Sequence, residues 1–235
     1  MKAVLFDLDG TLLRVDTQAM IDAYVRALAR WFADRIPPGR FLRALHTATQ
    51  AMMRNEDPAR TNRDVFAAAF YPAIGTSEAA MAGPLAEFYA RAYPTLRGSV
   101  RPDPAARQAV RAALDRGLQA VIATQPIFPE TAIRQRLAWA GIGDLPFAHI
   151  TTYETAHFCK PHPGYFLEIA ETIGREPGEC LMAGNDADHD IAASRVGMRT
   201  FLVTDHVIGR AAALPAIDHT GTLADLAAFL ARDDR

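Results

Sequence analysis

Two aspartates, Asp7 and Asp9, stand two residues apart where the apolar run Ala3–Phe6 gives way to Gly10 and Thr11. On an extended segment, residues at this spacing face the same side, so their carboxylates converge. Two like charges held together repel, and the repulsion calls for a cation between them and other acids. More acids occur in the run Gly184-Asn185-Asp186-Ala187-Asp188-His189-Asp190. A donor set of oxygens without His or Cys favours Mg²⁺. Thr124 and Lys160 supply a hydroxyl and an ammonium that could hold an anionic group beside that metal, which is what phosphoryl transfer requires. Lysine is scarce. Of the 25 basic residues only Lys2 and Lys160 are lysines, so chemistry that needs an ammonium has two candidates.

For these residues to meet, the elements that carry them must bring four segment ends to one crevice. A short buried strand is expected over Ala3–Phe6, with Gly10 allowing a sharp turn. Helical periodicity follows over 17–34, with Met20, Ile21, Tyr24, Val25, Leu28, Trp31 and Phe32 on one apolar face. Further helices are expected over 41–54, 62–74 and 77–92, and no strand signal falls between 15 and 97. From about residue 98 the texture alternates. Helices are expected over 104–116, 129–140, 163–173, 188–196 and 223–231. Strands are expected over 118–123, 147–151, 180–183 and 199–203. Alternation of this kind implies an α/β fold, a parallel sheet with helices on both faces. The first strand must join the later ones to find partners. The organisation expected is therefore a core of 1–14 plus 98–235, interrupted by an inserted all-helical unit, 15–97. In such sheets ligands bind beyond the carboxyl ends of the strands, and the candidate residues fall there.

Composition narrows the classes. The chain has 235 residues, half of them hydrophobic, with 25 basic against 27 acidic residues and a formal charge of −2. That near balance argues against a nucleic-acid binder or a basic membrane-surface protein. Two cysteines, Cys159 and Cys180, are too few for a disulfide scaffold or a four-ligand zinc site. Neither a secretory signal nor a membrane span is evident, and a cytoplasmic protein, monomeric or homodimeric, is expected.

Taken in order, these segments resemble the four motifs of the haloacid dehalogenase superfamily. Phe6-Asp7-Leu8-Asp9-Gly10-Thr11 resembles the first, Thr124 the second, Lys160 in Lys-Pro-His-Pro-Gly-Tyr-Phe the third, and Gly184 to Asp190 the acidic fourth. The resemblance covers the whole Rossmann-like core, and the helical block resembles the cap that covers such sites. It implies that Asp7 is a nucleophile forming an aspartyl phosphate and that Asp9 protonates the leaving oxygen and then activates water. It implies Mg²⁺ held by Asp7, the Asp9 carbonyl and the fourth motif, with Thr124 and Lys160 on the phosphoryl oxygens. Two departures stand out. Asn185 follows Gly184 where Asp is commonest, so either Asn185 or Asp186 could ligate metal. Gln125 stands where a shorter Asn or Ser is common, at the phosphate end of the pocket. Asp190 is expected in the hydrogen-bond network of the site.

The expected reaction is Mg²⁺-dependent hydrolysis of a small phosphorylated metabolite. A phosphosugar mutase uses the same carboxylate pair and stays open as an alternative. Dehalogenases of the superfamily lack the second aspartate of the first motif, and the lysine-free block 15–97 excludes Schiff-base phosphonatase chemistry. A non-catalytic phospho-switch fits poorly, because receiver domains carry no such insertion. Gln18, His46, Arg54 and Arg63 are read as solvated helix residues that could select substrate. Asp188 is read as a helix cap or a solvated residue, His162 and His189 as exposed, and Cys159 as structural.

Overall fold

A computed structural model describes residues 1–98, 100, 102–209 and 217–232. Six strands form one parallel sheet in the order β3-β2-β1-β4-β5-β6. They are β1 (Ala3–Phe6), β2 (Gln119–Ile122), β3 (His149–Ile150), β4 (Cys180–Gly184), β5 (Arg199–Val203) and β6 (His219–Gly221). β1 lies between β2 and β4, so the first motif sits at the centre of the sheet. All four β1 residues are fully buried, as an apolar strand covered on both faces requires. One face packs on α5 (Pro104–Asp115) and α8 (Leu223–Ala231), the other on α7 (Pro163–Thr172).

Between β1 and β2 come α1 (Thr17–Trp31), α2 (Pro38–Met53), α3 (Asn62–Ile74) and α4 (Glu78–Glu87). α2 begins with Pro at its first position, and the other three starts follow from side-chain capping. Asp16 accepts from the Ala19 N–H, Thr61 and Asp64 form a capping box, and Ser77 accepts from the Ala80 N–H. No strand interrupts this block among the described residues, as expected. No helix among them is long and apolar enough to cross a membrane.

Three expectations differ from the structure. The helix expected over 77–92 ends as α4 at Glu87 and continues as one π turn, Phe88–Ala92, followed by a 3₁₀ turn, Tyr93–Arg97. Pro84 and Pro94 each remove a backbone donor here, which disfavours a regular ladder. The helix expected from Asp188 is a 3₁₀ segment, Ile191–Val196, because the Asp186 carboxylate captures the Asp188 and His189 N–H groups in a turn. The edge strand β6 was not expected, since His219-Thr220-Gly221 has no apolar run.

The inserted helices are fastened to the core away from their two chain crossings. The Asn62 N–H donates to the Ala156 carbonyl at 2.8 Å and the Arg63 N–H to the Tyr153 carbonyl at 2.8 Å. Asn55 Nδ2 donates to the His157 carbonyl at 2.8 Å, and the fully buried Asn62 donates Nδ2 to the Pro126 carbonyl at 3.1 Å.

Burial pushes the His149 imidazole on β3 below its ordinary 6.5. The unfolded chain therefore binds a proton that the folded chain resists, and stability falls as pH drops below about 6.5. In His149→Gln, urea unfolding at about pH 7 and about pH 5 should show a smaller loss of stability than in the parent. An equal loss would refute the assignment.

Candidate active site

Each candidate side chain sits at the carboxyl end of a strand or in the loop that follows. Asp7 continues β1, and its N–H donates to the Ala183 carbonyl of β4 at 2.9 Å. Thr124 and Gln125 follow β2, Lys160 precedes α7, and Asn185 to Asp190 follow β4. Asp7, Asp9, Thr124, Gln125, Lys160, Asn185, Asp186 and Asp190 all line one cavity of about 650 Å³, roofed by α1 and α2.

The centre of the cavity is a buried charge cluster. Lys160 is 4% exposed, and its Nζ donates to Asp7 Oδ1 at 2.9 Å and to Asp190 Oδ1 at 2.5 Å. Burial opposes the charge on Lys160, but the two carboxylates outweigh it and hold the ammonium above its usual range. Burial pushes the Asp190 carboxyl up, against the pull of Lys160. Asp190 Oδ2 also accepts the Asp186 N–H at 2.9 Å. A Cβ on Gly184 would lie 2.1 Å from Asp190 Oδ2, so only glycine at the end of β4 leaves that carboxylate its place.

Asn185 is oriented from both ends. Its Nδ2 donates to the His206 carbonyl at 2.6 Å, which turns Oδ1 toward Thr11. Thr11 Oγ1 lies 3.0 Å from Asn185 Oδ1 and 3.0 Å from Asp7 Oδ2. A hydroxyl carries one hydrogen and can donate to only one of these oxygens at a time. Two acceptor oxygens thus face one small donor. Gly10, at φ 87°, makes the approach possible, because a Cβ there would lie 2.5 Å from Asn185 Nδ2. Asp186 is committed elsewhere. Its carboxylate accepts the Asp188 and His189 N–H groups and pairs with the His189 ring at 2.7 Å. Burial pushes the Asp186 carboxyl up, but the His189 ring and the two N–H groups outweigh it and hold it below its usual value, while the pairing holds the His189 imidazole above its own.

Asp9 faces the same cavity but has its own partner. Asp9 Oδ2 accepts from Arg136 Nη1, and Arg136 is fully buried with its guanidinium 4.3 Å from the centre of the Phe128 ring. Asp9 Oδ1 is buried without a hydrogen-bond partner. Burial pushes the Asp9 carboxyl up, with Arg136 pulling it down. Arg136 belongs to α6 (Glu130–Trp139).

Two expectations change here. Gln125 does not present its amide to the phosphate end. Its Oε1 accepts the Lys160 N–H at 2.9 Å and its Nε2 donates to the Lys160 carbonyl at 3.1 Å. The longer side chain grips the lysine backbone and positions it. His189 and His162 are half-buried rather than exposed. The first pairs with Asp186, and the second accepts the Gly164 N–H at 3.0 Å and stacks on Phe158. Gln18 and His46 line the cavity, whereas Arg54 and Arg63 do not. Cys159 is buried, with its thiol pushed up to about 12. Arg136 was missed, although it continues the spacing of the buried residues Ala132, Ile133 and Leu137 on α6. Asn62 gave no comparable signal. Among the described residues, no three His, Cys, Asp or Glu side chains are gathered closely enough to hold a metal ion by themselves.

The family profile of the haloacid dehalogenase-like hydrolases matches residues 1–197. The chain belongs to that family. A provisionally named phosphatase of Bacillus subtilis (strain 168), YhcW, is 30% identical over 111 residues, 47% of this chain and 49% of the relative. The match thus spans about half the length of that relative. Among solved structures, a HAD phosphatase from Thermococcus onnurineus superposes with a TM-score of 0.61 at 22% identity, over 98% of each chain. A 2-haloacid dehalogenase from Pseudomonas syringae pv. Tomato DC3000 superposes with a TM-score of 0.66, also at 22% identity and 98% of each chain. The fold of this hydrolase is shared by phosphatases and dehalogenases alike, so its reaction has to be argued from the site.

The Gln125 grip has a measurable consequence. Gln125→Ala removes two hydrogen bonds from the Lys160 backbone and should lower unfolding stability by about 1–2 kcal/mol in denaturant titration. A change within about 0.5 kcal/mol, the range of an ordinary surface substitution, would show that the grip is energetically idle.

Proposed function

We propose that the protein is a Mg²⁺-dependent phosphoric monoester hydrolase acting on a small phosphorylated metabolite through an aspartyl phosphate on Asp7. The observation that carries this reading is Asp9. A second carboxyl, pushed up by burial, lines the cavity that holds Asp7 and Lys160. A group poised in this way can give a proton to a leaving alcohol. Displacement of halide from carbon needs no such acid.

The donor set fits a hard divalent cation. Asp7 Oδ2 and Asn185 Oδ1 are oxygens turned toward one another across Thr11, and the Asp9 backbone carbonyl adjoins them in sequence. Asn185 fits better than Asp186, whose oxygens are engaged by the following turn. Charge supports the same conclusion. Asp7 and Asp190 share the single ammonium of Lys160, so the carboxylates around Asp7 outnumber the cation paired with them before a phosphate arrives. Bound Mg²⁺ would neutralise repulsion between the incoming phosphate and these carboxylates.

The chain's own residues then have defined tasks. Lys160 and Thr124 hold phosphoryl oxygens. An Asp7 oxygen attacks phosphorus, the P–O bond to the alcohol breaks, and Asp9 supplies the proton that the alkoxide takes. Water next attacks the aspartyl phosphate, Asp9 accepts its proton, and inorganic phosphate leaves with Asp7 restored.

Purified protein should hydrolyse p-nitrophenyl phosphate with Mg²⁺ and stop on addition of a chelator. Asp7→Asn should abolish turnover with the fold retained by circular dichroism. Asp9→Asn should lower kcat by about 10²–10⁴-fold toward an alkyl phosphate. Full activity in Asp7→Asn, or metal-free turnover of 2-chloropropionate in place of phosphate esters, would overturn the reading.

A further inference from the structure

The active-site cavity shares Ile21, Val25, Leu45, Thr49, Ile127 and Phe128 with a second cavity of about 660 Å³. The second cavity is walled by Phe66, Phe70 and Leu85, with Ala79, Ala82 and Ala86 of α4 along one side. The apolar stripe of α1 explains why both exist. Its later residues, Leu28 and Ala29, are buried in packing, whereas Met20, Ile21, Tyr24 and Val25 are only half-buried. The same stripe therefore passes from packed core into open cavity walls. Leu42 and Met53 of α2 and Ile208 opposite them line the active-site cavity at 36–46% exposure. Apolar surface left wet in this concentration marks a binding site.

The charges on these walls say what cannot bind. The inserted helices contribute no Lys or Arg to the active-site cavity. Among the described residues lining the second cavity the one such cation is Arg63, and it pairs with Glu78 at 2.7 Å. Lys160 is committed to the phosphate end. A second anionic group carried into the second cavity would meet apolar walls, an arginine already paired, and the carboxylates of Glu78 and Glu154.

We propose that the substrate's leaving group is an extended apolar alcohol that threads past Ile21, Val25 and Phe128 into the second cavity and carries no anionic group on the part that enters it. The inference rests on the phosphatase reading and narrows its substrate class. Two measurements test it separately from that reading. The first is kcat/KM with Mg²⁺ for n-alkyl phosphates from ethyl to octyl, below micellar concentrations, and for 2-phosphoglycolate. The second is the affinity for octylphosphonate and ethylphosphonate by calorimetry. Octyl should exceed ethyl at least about tenfold in both, from the transfer energy of the added methylenes, with 2-phosphoglycolate below octyl phosphate in kcat/KM. Ala82→Trp, which narrows only the second cavity, should collapse the octyl-to-ethyl ratio, and Ala86→Trp serves should that variant not fold. A flat alkyl series in an active enzyme overturns this inference and leaves the phosphatase reading standing. If no ester is turned over, the phosphatase reading fails, and octylphosphonate binding no tighter than ethylphosphonate overturns the cavity assignment as well. A ratio unchanged by a folded Trp variant also overturns it.

Discussion

An ammonium buried between two carboxylates is the constraint around which the rest of this molecule is arranged. Lys160, Asp7 and Asp190 are each at most 7% exposed. Charges taken out of water are tolerated only when paired and hydrogen-bonded. Removing Lys160 would leave two buried carboxylates facing each other without a counter-charge. The parallel sheet makes the pairing possible. β1 and β4 are neighbours, so Asp7 and the loop that carries Asp190 emerge side by side, and the βα connection ahead of α7 delivers Lys160 to the same end.

A second layer fixes the first. The backbone of Lys160 is clasped by Gln125, and Gly184 vacates the space that Asp190 fills. Gly10 lets the first loop meet Asn185. The inserted helices add a third constraint, since Asn55, Asn62 and Arg63 bond to carbonyls of the segment 153–157 and to Pro126. The cavity roof is thereby tied to loops that carry site residues. Arg136 joins both layers: it pairs with Asp9 and lies over Phe128, a residue shared by the two cavities.

Much of this was legible in the sequence, for physical reasons. Fully buried parallel strands must be short apolar runs, and ligands meet them at their carboxyl ends, so Asp7, Thr124 and Asn185 announced themselves by position. The scarcity of lysine made Lys160 conspicuous, and a compact ammonium serves two carboxylates at once. What stayed hidden depended on tertiary partners. Gln125 reads as a phosphate-facing residue until the Lys160 backbone lies beside it. His189 reads as solvated until the turn at Asp186 forms. Arg136 is one of 23 arginines, and only its place in a buried helix stripe distinguishes it. β6 has no apolar signature, because an edge strand of His, Thr and Gly is defined by its pairing with β5.

The proposed chemistry centres on one side chain, Asp7, held by Lys160 and Thr11 and backed by the acid Asp9. Acid quenching during turnover of a phosphate ester, followed by borohydride reduction and peptide mass spectrometry, reads that directly, since an acyl phosphate at an aspartate is reduced to homoserine. Homoserine is expected at residue 7, formed only when substrate and Mg²⁺ are both supplied. Homoserine at another position, or none while ester hydrolysis proceeds, would contradict that chemistry.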